Sequence, residues 1–364
     1  MTTTQEPTTT DQEIEAFAET MFGMALGTLE LTVTYLGRSL GLYESLRGES
    51  AGLTAAELAS RAGIDTRYAR EWVEHQAVAG VLAVDDPAAE PGVRRYALPE
   101  AHATVLLDEE HPAYSGALAD VTPIIARSLD LVTSAFRTGA GVEFAAYGLH
   151  DMQAGFTRPM FASSFAEEWL PAIPEVHARL AAGEPLRVAD FGCGEGWASI
   201  YIAEAFPKVT VDGFDLDDTS IAAARRNAAA RGVSDRVRFE VKDIRESSGG
   251  YDLVFACEVI HDLADPVGAL AAMRRVTGDE GVVLIIDERT DEEFSPSGDP
   301  IQRLLYGFSI IHCLPVGRTA ANSAETGTVM RPQLFERYAR DAGFASVEVL
   351  PIEHPFFRFY RPRD

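Results

Sequence analysis

Three glycines two residues apart, Gly192, Gly194 and Gly196, follow Asp190 in the stretch Val188-Ala-Asp-Phe-Gly-Cys-Gly-Glu-Gly196. Glycine lacks a Cβ and accepts positive φ, so such a turn lets backbone approach a ligand closely. The chemistry it suits is nucleotide binding. A second acid, Asp215, ends the run Val209-Thr-Val-Asp-Gly-Phe214, at the separation where nucleotide-binding βαβ units hold a ribose through its hydroxyls. A third, Asp243, follows Val237-Arg-Phe-Glu-Val241. His261, in Glu258-Val-Ile-His-Asp-Leu-Ala-Asp265, is the candidate general base, because an imidazole titrates near neutral pH. The plainer alternative is a histidine that only shapes a pocket floor. Glu288 is placed to orient His261 or hold a substrate, with Arg289 beside it as a simple counter-charge. His312 is a second candidate base, although a lone histidine on an apolar helix is more often a satisfied core residue.

These residues need elements to carry them. Four strand-forming residues from Leu186 run into Asp190, residues 197–206 predict a helix, and strands are predicted over 209–214, 237–241, 251–257 and 282–287. Helices are expected over 299–313 and 331–343, and a closing antiparallel pair over 346–350 and 355–360. This alternation predicts an α/β fold, a doubly wound, seven-stranded Rossmann-like sheet whose acids face one crevice. A sheet whose glycines only ease helix packing would not require acids at three strand ends. A dinucleotide dehydrogenase prefers G-x-G-x-x-G, whereas here the third glycine comes after a single residue.

Residues 1–12 are Thr-rich and polar, which predicts a disordered tail, and they have neither the basic start nor the apolar stretch of a secretory signal. Residues 13–110 are expected to form a helical and winged-helix domain, 111–182 a helical substrate-covering region, and 183–364 the sheet domain. The segment 17–46 is apolar but interrupted by Glu30, Arg38 and several Gly and Thr, which predicts one or two buried helices and no membrane span. Thr54-Ala-Ala-Glu57 is a capping box, Asp65 or Thr66 caps a second helix to about Ala79, and 80–84 with 94–98 would make a wing hairpin. That outline also suits a transcription regulator. Against DNA binding stand 31 basic residues facing 56 acidic ones, a formal net charge of -25, and a second helix in which Glu71 and Glu74 offset Arg67 and Arg70. Cys193, Cys257 and Cys313 are too few and scattered for a disulfide framework or a zinc site, so no metal and a cytoplasmic location are expected. Phe156, Met160, Phe161, Phe165 and Trp169 recur at helical spacing; plain core is the first reading of that stripe and pocket wall the second.

With its motifs in this order, the chain resembles the class I S-adenosylmethionine-dependent methyltransferases from Leu186 to the C-terminus, about half its length. The resemblance implies S-adenosyl-L-methionine as cofactor and S-adenosyl-L-homocysteine as its product. It places Gly192, Gly194 and Gly196 at the methionine and ribose, Asp215 at the ribose hydroxyls, Asp243 and Ile244 at the adenine, and adds to the cofactor site Leu216 and, in the fourth motif, Tyr251 to His261, Cys257. Asp190 either holds the loop or meets the methionine ammonium. A winged helix ahead of such a domain is similar to the small-molecule O-methyltransferases of bacteria and plants, whose N-terminal half dimerises and covers the substrate. In them a His in a His-Asp-x-x-Asp stretch is the general base; His261, Asp262 and Asp265 fit, with Leu263 where the family usually has Trp. Tyr306 to Pro315 and Gly327 to Pro332 resemble a bacterial subgroup without a defined substrate. The resemblance thus implies a homodimeric enzyme of small-molecule or secondary metabolism that methylates a small apolar or aromatic acceptor, at oxygen by preference. His261 and Glu288 would be catalytic, and Phe156, Met160, Phe161, Trp169, Tyr306 and His312 would line the acceptor site. Methylation at carbon or nitrogen, another reaction of the same cofactor, and a ligand-sensing winged-helix regulator are the alternatives.

Overall fold

The computed structural model describes residues 9–296 and 298–364, with the side chain of Ile244 outside the description. The tail expected over 1–12 lies outside the described residues as far as residue 8, and from Thr9 the chain is helical. Two compact units divide it between Pro123 and Ile124.

The first unit opens with helix α1 (Thr9–Ser39), which holds Asp11 in its first turn and Arg38 in its last, both matched to the helix dipole. One or two buried helices were expected over 17–46, yet every residue from Thr9 to Leu29 is exposed. The apolar side chains there, Ile14, Phe17, Met21, Phe22, Met24, Leu26 and Leu29 among them, are left uncovered, because nothing in this unit packs against that part of the helix. Burial begins near the helix end, where a Cβ on Gly37 would run into Trp72 and Tyr43. Helices α2 (Leu42–Leu46), α3 (Ala55–Ala62) and α4 (Thr66–Val78) enclose a small core of Leu42, Tyr43, Leu58, Trp72 and Val73. The capping box is present, Glu57 N–H donating to Thr54 Oγ1 at 3.2 Å and Thr54 N–H to Glu57 Oε2 at 2.8 Å. Asp65 caps α4 through the N–H groups of Arg67 and Tyr68. The wing shrinks to β1 (Ala83–Val84) against β2 (Tyr96–Ala97), because Pro87 and Pro91, with Asp85, Asp86 and Glu90 beside them, cannot continue a ladder. Helix α5 (Glu100–Leu107) follows. On α4, Arg67 pairs with Glu71, and Arg70 with Glu74 at 3.1 Å, so no basic face remains for a polyanion.

The second unit begins within α6 (Val121–Thr138) and continues through α7 (His150–Met160), a π-helical run from Phe161 to Trp169, and α8 (Pro174–Ala181). Pro159 supplies a cause for the wide turns, since it removes a helical N–H donor just ahead of them. Then come β3 (Arg187–Phe191), α9 (Trp197–Ala205), β4 (Thr210–Asp215), α10 (Asp218–Ala230), β5 (Val237–Val241), β6 (Tyr251–Cys257), α11 (Pro266–Val276) and β7 (Thr277–Glu288). After them lie α12 (Pro300–Phe308), a second π-helical turn at Ser309–Cys313, α13 (Leu314–Gly317), α14 (Pro332–Asp341), β8 (Ser346–Val349) and β9 (Phe357–Arg363). The seven strands lie in the order β5-β4-β3-β6-β7-β9-β8, parallel as far as β7, with β9 antiparallel to both its neighbours. Apolar residues on both faces of β3, such as Val188 and Ala189, feed separate cores above and below the sheet, as a covered parallel sheet requires. Strand order reverses between β3 and β6, which opens a crevice at their carboxyl ends.

Candidate active site

The glycine turn sits at that crevice. Gly192, Gly194 and Gly196 all have positive φ, at 72°, 50° and 81°. A Cβ on Gly192 would run into Val259 and one on Gly196 into Phe239, whereas one on Gly194 would meet nothing. Two of the glycines therefore answer to packing, and the third leaves backbone open to a ligand. Gly194 N–H donates to Asp215 Oδ2 and Asp217 N–H to Asp215 Oδ1, each at 2.9 Å, which fixes the carboxylate at the end of β4 and leaves lone pairs on both oxygens. Burial, partly offset by these N–H groups, raises the Asp215 pKa. Asp190 lies beneath the turn and accepts from Ser199 Oγ at 2.7 Å. Burial pushes its pKa up to about 7 against the bond from Ser199. Leu216 is 68% exposed, an apolar side chain standing at the lip of the crevice. This set fits an adenosyl cofactor: a bare backbone turn, an anchored acid with spare acceptor sites, and an apolar lip.

A second cluster stands at the ends of β6 and β7. His261 Nδ1 is 2.8 Å from Asp287 Oδ1 and 2.8 Å from Glu288 Oε2, and its Nε2 is 3.3 Å from Asp262 Oδ1. His261 is 2% exposed, Asp287 0% and Glu288 7%, so water does not screen these charges. Burial alone would lower the imidazole pKa, but Glu288, Asp262 and Asp287 outweigh it and hold the ring well above its ordinary value. Burial raises Glu288, while His261 holds Asp287 down despite burial, so the two neighbouring acids are pushed in opposite directions. The atoms are close enough for a divalent ion, yet hydrogen bonds and charge pairing already account for the contacts. Glu258 bears a left-handed φ of 57° just past β6, a strained conformation for a non-glycine residue, and burial raises its carboxyl to about 7.

The remaining expected residues make contacts of their own. Asp243 is gripped by its own Arg245, with the guanidinium Nη2 at 2.6 Å, and this pairing lowers its pKa. The side chain of Ile244 falls outside the described residues. Asp265 caps α11 through Gly268 N–H at 2.8 Å. Phe161 and Trp169 pack into the sheet core with Phe165, which is the plain-core reading of the stripe. Phe156 and Met160 are half-buried, with Phe156 edge-on to Phe356 at 5.3 Å. Tyr306 accepts from Arg331 at 3.1 Å, and Cys257 is half-buried with a thiol pushed well up by burial. His312 is buried beside Tyr147. Sequence reasoning missed Asp287, read only as the end of an apolar strand, and the contact of His150 Nε2 with Asp217 Oδ2 at 3.0 Å. Asp287 was traceable as an acid ending that strand; His150 left no signal.

Comparison with known proteins follows the same lines. Residues 183–305 match a family described as a methyltransferase domain, and 27–107 one described as an Rv2258c-like winged HTH domain. The malonyl-[acyl-carrier protein] O-methyltransferase of Halalkalibacterium halodurans is 29% identical over 29% of this chain and 40% of its own. The chain spans only 25% and 40% of the length of the first two curated relatives it matches. Mitomycin 7-O-methyltransferase MmcR superposes with a TM-score of 0.67 at 20% identity, over 97% of this chain and 99% of its own. Human N-acetylserotonin methyltransferase in complex with SAM gives 0.70 at 15% identity, over 100% and 99%. At such identities the likeness is one of fold.

Proposed function

We propose, for a chain that carries a class I methyltransferase domain behind a winged helix-turn-helix domain, S-adenosylmethionine-dependent methyl transfer to the oxygen of a small apolar or aromatic acceptor. The observation that carries this reading is the bond from Gly194 N–H to Asp215 at 2.9 Å, which joins an open backbone turn to an anchored acid at the strand-order switch. The cofactor, once bound, supplies a methyl already activated on a sulfonium. The protein's own residues have to align an acceptor with it, exclude water and take up a proton. Asp215 would take the ribose hydroxyls, Leu216 the adenine edge, and Asp190 would hold the turn through Ser199. The network of His261 and Glu288 would set the charge at the acceptor end. A buried imidazole and carboxylate cluster supports an acceptor that must lose a proton; an amine with a free lone pair would not need one.

Assembly as a dimer belongs to the same reading, with a second copy of this chain covering the apolar length of α1, where Phe17 is 66% and Phe22 70% exposed. Three free cysteines support a reducing compartment such as the cytoplasm. Among the described residues no helix is long and apolar enough to cross a membrane.

Calorimetric titration with S-adenosylmethionine and S-adenosylhomocysteine, with NAD as control, tests the cofactor. Micromolar binding of the pair and none of NAD is expected, followed by an added methyl in the mass of an acceptor. Absence of binding to both sulfur ligands would reject the reading.

A further inference from the structure

A short segment just ahead of α7, Phe144 to His150, reaches both neighbours of the central strand β3, all within the second unit. At one side Tyr147, fully buried, donates its hydroxyl to the Ile311 carbonyl at 2.9 Å, and its ring stands edge-on to His312 at 4.6 Å. That π-helical turn also brings Cys313 Sγ within 4.8 Å of side-chain atoms of His261 and Asp262, beyond the end of β6. At the other side His150 Nε2 stands 3.0 Å from Asp217 Oδ2. Asp217 lies two residues past the end of β4, and its N–H is one of the two that fix Asp215. Phe144 stands between, edge-on to His150 at 5.2 Å and to His312 at 5.7 Å. Since β4 and β6 flank β3, their ends are roughly 10 Å apart, two strand spacings. Those rings cover the same span. The glycine turn lies close by: burial raises the carboxyl of Glu195, between Gly194 and Gly196, Asp151 adds to the rise and His150 opposes it.

The contact of His150 with Asp217 is only partly made. At 3.0 Å the two atoms are in range, yet Nε2 is not aligned as a donor, and among the described residues this buried nitrogen has no hydrogen-bond partner. Asp217 Oδ2 accepts Ser220 N–H at 2.6 Å and keeps a lone pair. An unfilled buried donor is costly, so a turn of the imidazole into line with Asp217 is favourable. Gly148, with a φ of 62°, separates the anchored Tyr147 from His150 and takes a conformation that suits a glycine hinge. We propose that Phe144 to His150 is a strap that closes over the bound cofactor, with His150 as its latch on Asp217. The inference rests on the methyl-transfer reading and deepens it. The cofactor enters while the strap is open, and closing aligns His150 and shields the sulfonium from water. The homocysteine product leaves once the latch parts. His150 is thus a positioning residue, acting on the cofactor through Asp217 and the Asp215 that it braces.

Stopped-flow binding of S-adenosylhomocysteine to the full-length chain tests this, with wild type, His150→Gln, Asp217→Asn and the double variant. Asparagine keeps an N-cap for α10, so the second variant retains the helix start. Each single variant should release the ligand about five- to thirtyfold faster, the range for one hydrogen bond to a partly exposed charged group, while association stays within about threefold. The double variant should be no faster than the faster single one, because both remove the same contact. Release at the wild-type rate in both single variants, or two effects that multiply in the double variant, would overturn the latch. Hydrogen exchange gives a readout that a merely structural role would not move: S-adenosylhomocysteine should protect the amides of residues 144–150 in the wild type and protect them less in His150→Gln. Equal protection in the two proteins would overturn the strap even if His150→Gln had lost stability. A wild type that binds no S-adenosylhomocysteine would end the cofactor reading and the strap with it, whereas binding without any change on breaking the latch would end the strap alone.

Discussion

His261 Nδ1 stands 2.8 Å from Asp287 Oδ1, with both residues buried at the carboxyl ends of neighbouring parallel strands. The pair has a consequence for stability. A folded-state pKa raised above the unfolded one contributes stability fully below the unfolded value, about 6.5, and loses it as pH rises toward the folded value. Wild-type melting temperature should therefore fall between pH 6.5 and 9 more steeply than that of His261→Asn. Parallel curves for the two proteins would mean that the imidazole is not held as a cation.

Asp190 carries a raised pKa of about 7 because it is buried beside the turn. The stabilisation it gives as a neutral acid is complete below the unfolded carboxyl value of about 3.9 and disappears as pH rises to 7. Asp190→Asn keeps an acceptor for Ser199 and carries no charge. Relative to wild type, its melting temperature should gain with pH from 5 to 8; a constant difference across that range would contradict the buried-acid assignment.

Asp215 offers spare lone pairs on a carboxylate already fixed by Gly194 and Asp217. Asp215→Ala should weaken S-adenosylhomocysteine binding by about 1.5–3 kcal/mol, the worth of hydrogen bonds to a charged acceptor. Calorimetry that finds the same affinity in the variant would remove Asp215 from the cofactor site.

The glycines separate by what surrounds them. Gly192→Ala would press on Val259 at positive φ and should lower stability on the order of 1–3 kcal/mol. Gly194→Ala has open space around its Cβ, so it should cost less in melting temperature yet lose more cofactor affinity. Equal effects on both measurements in the two variants would argue that Gly194 faces no ligand.

Along α1, Phe17 and Phe22 are exposed in a helix whose whole first part is uncovered by its own chain. Light scattering should give twice the 39.5 kDa chain mass for the wild type, and Phe17→Glu with Phe22→Glu should shift it toward the single-chain mass. A wild type that runs as a monomer at micromolar concentration would end the dimer proposal.

The sequence by itself determined the sheet and its cofactor edge. Strand periodicity located β5 and β6 to the residue, and the acids Asp190 and Asp215 stand where the order of strands and turns put them. That information is local, since a strand, a glycine turn and an acid at fixed separation specify one another within a single βαβ unit. Tertiary structure decided the rest. Whether Trp169 lines a pocket or fills a core depends on β9, almost two hundred residues further along, which brings Phe357 and Phe359 against it. Whether α1 is buried depends on whether other elements pack over its apolar residues, and over Thr9 to Leu29 none does. The protonation of His261 is decided in the same way. Its pKa is raised by Glu288 and Asp287, a strand away in space but remote in sequence, through Coulomb interactions that act strongly only once folding has removed the water.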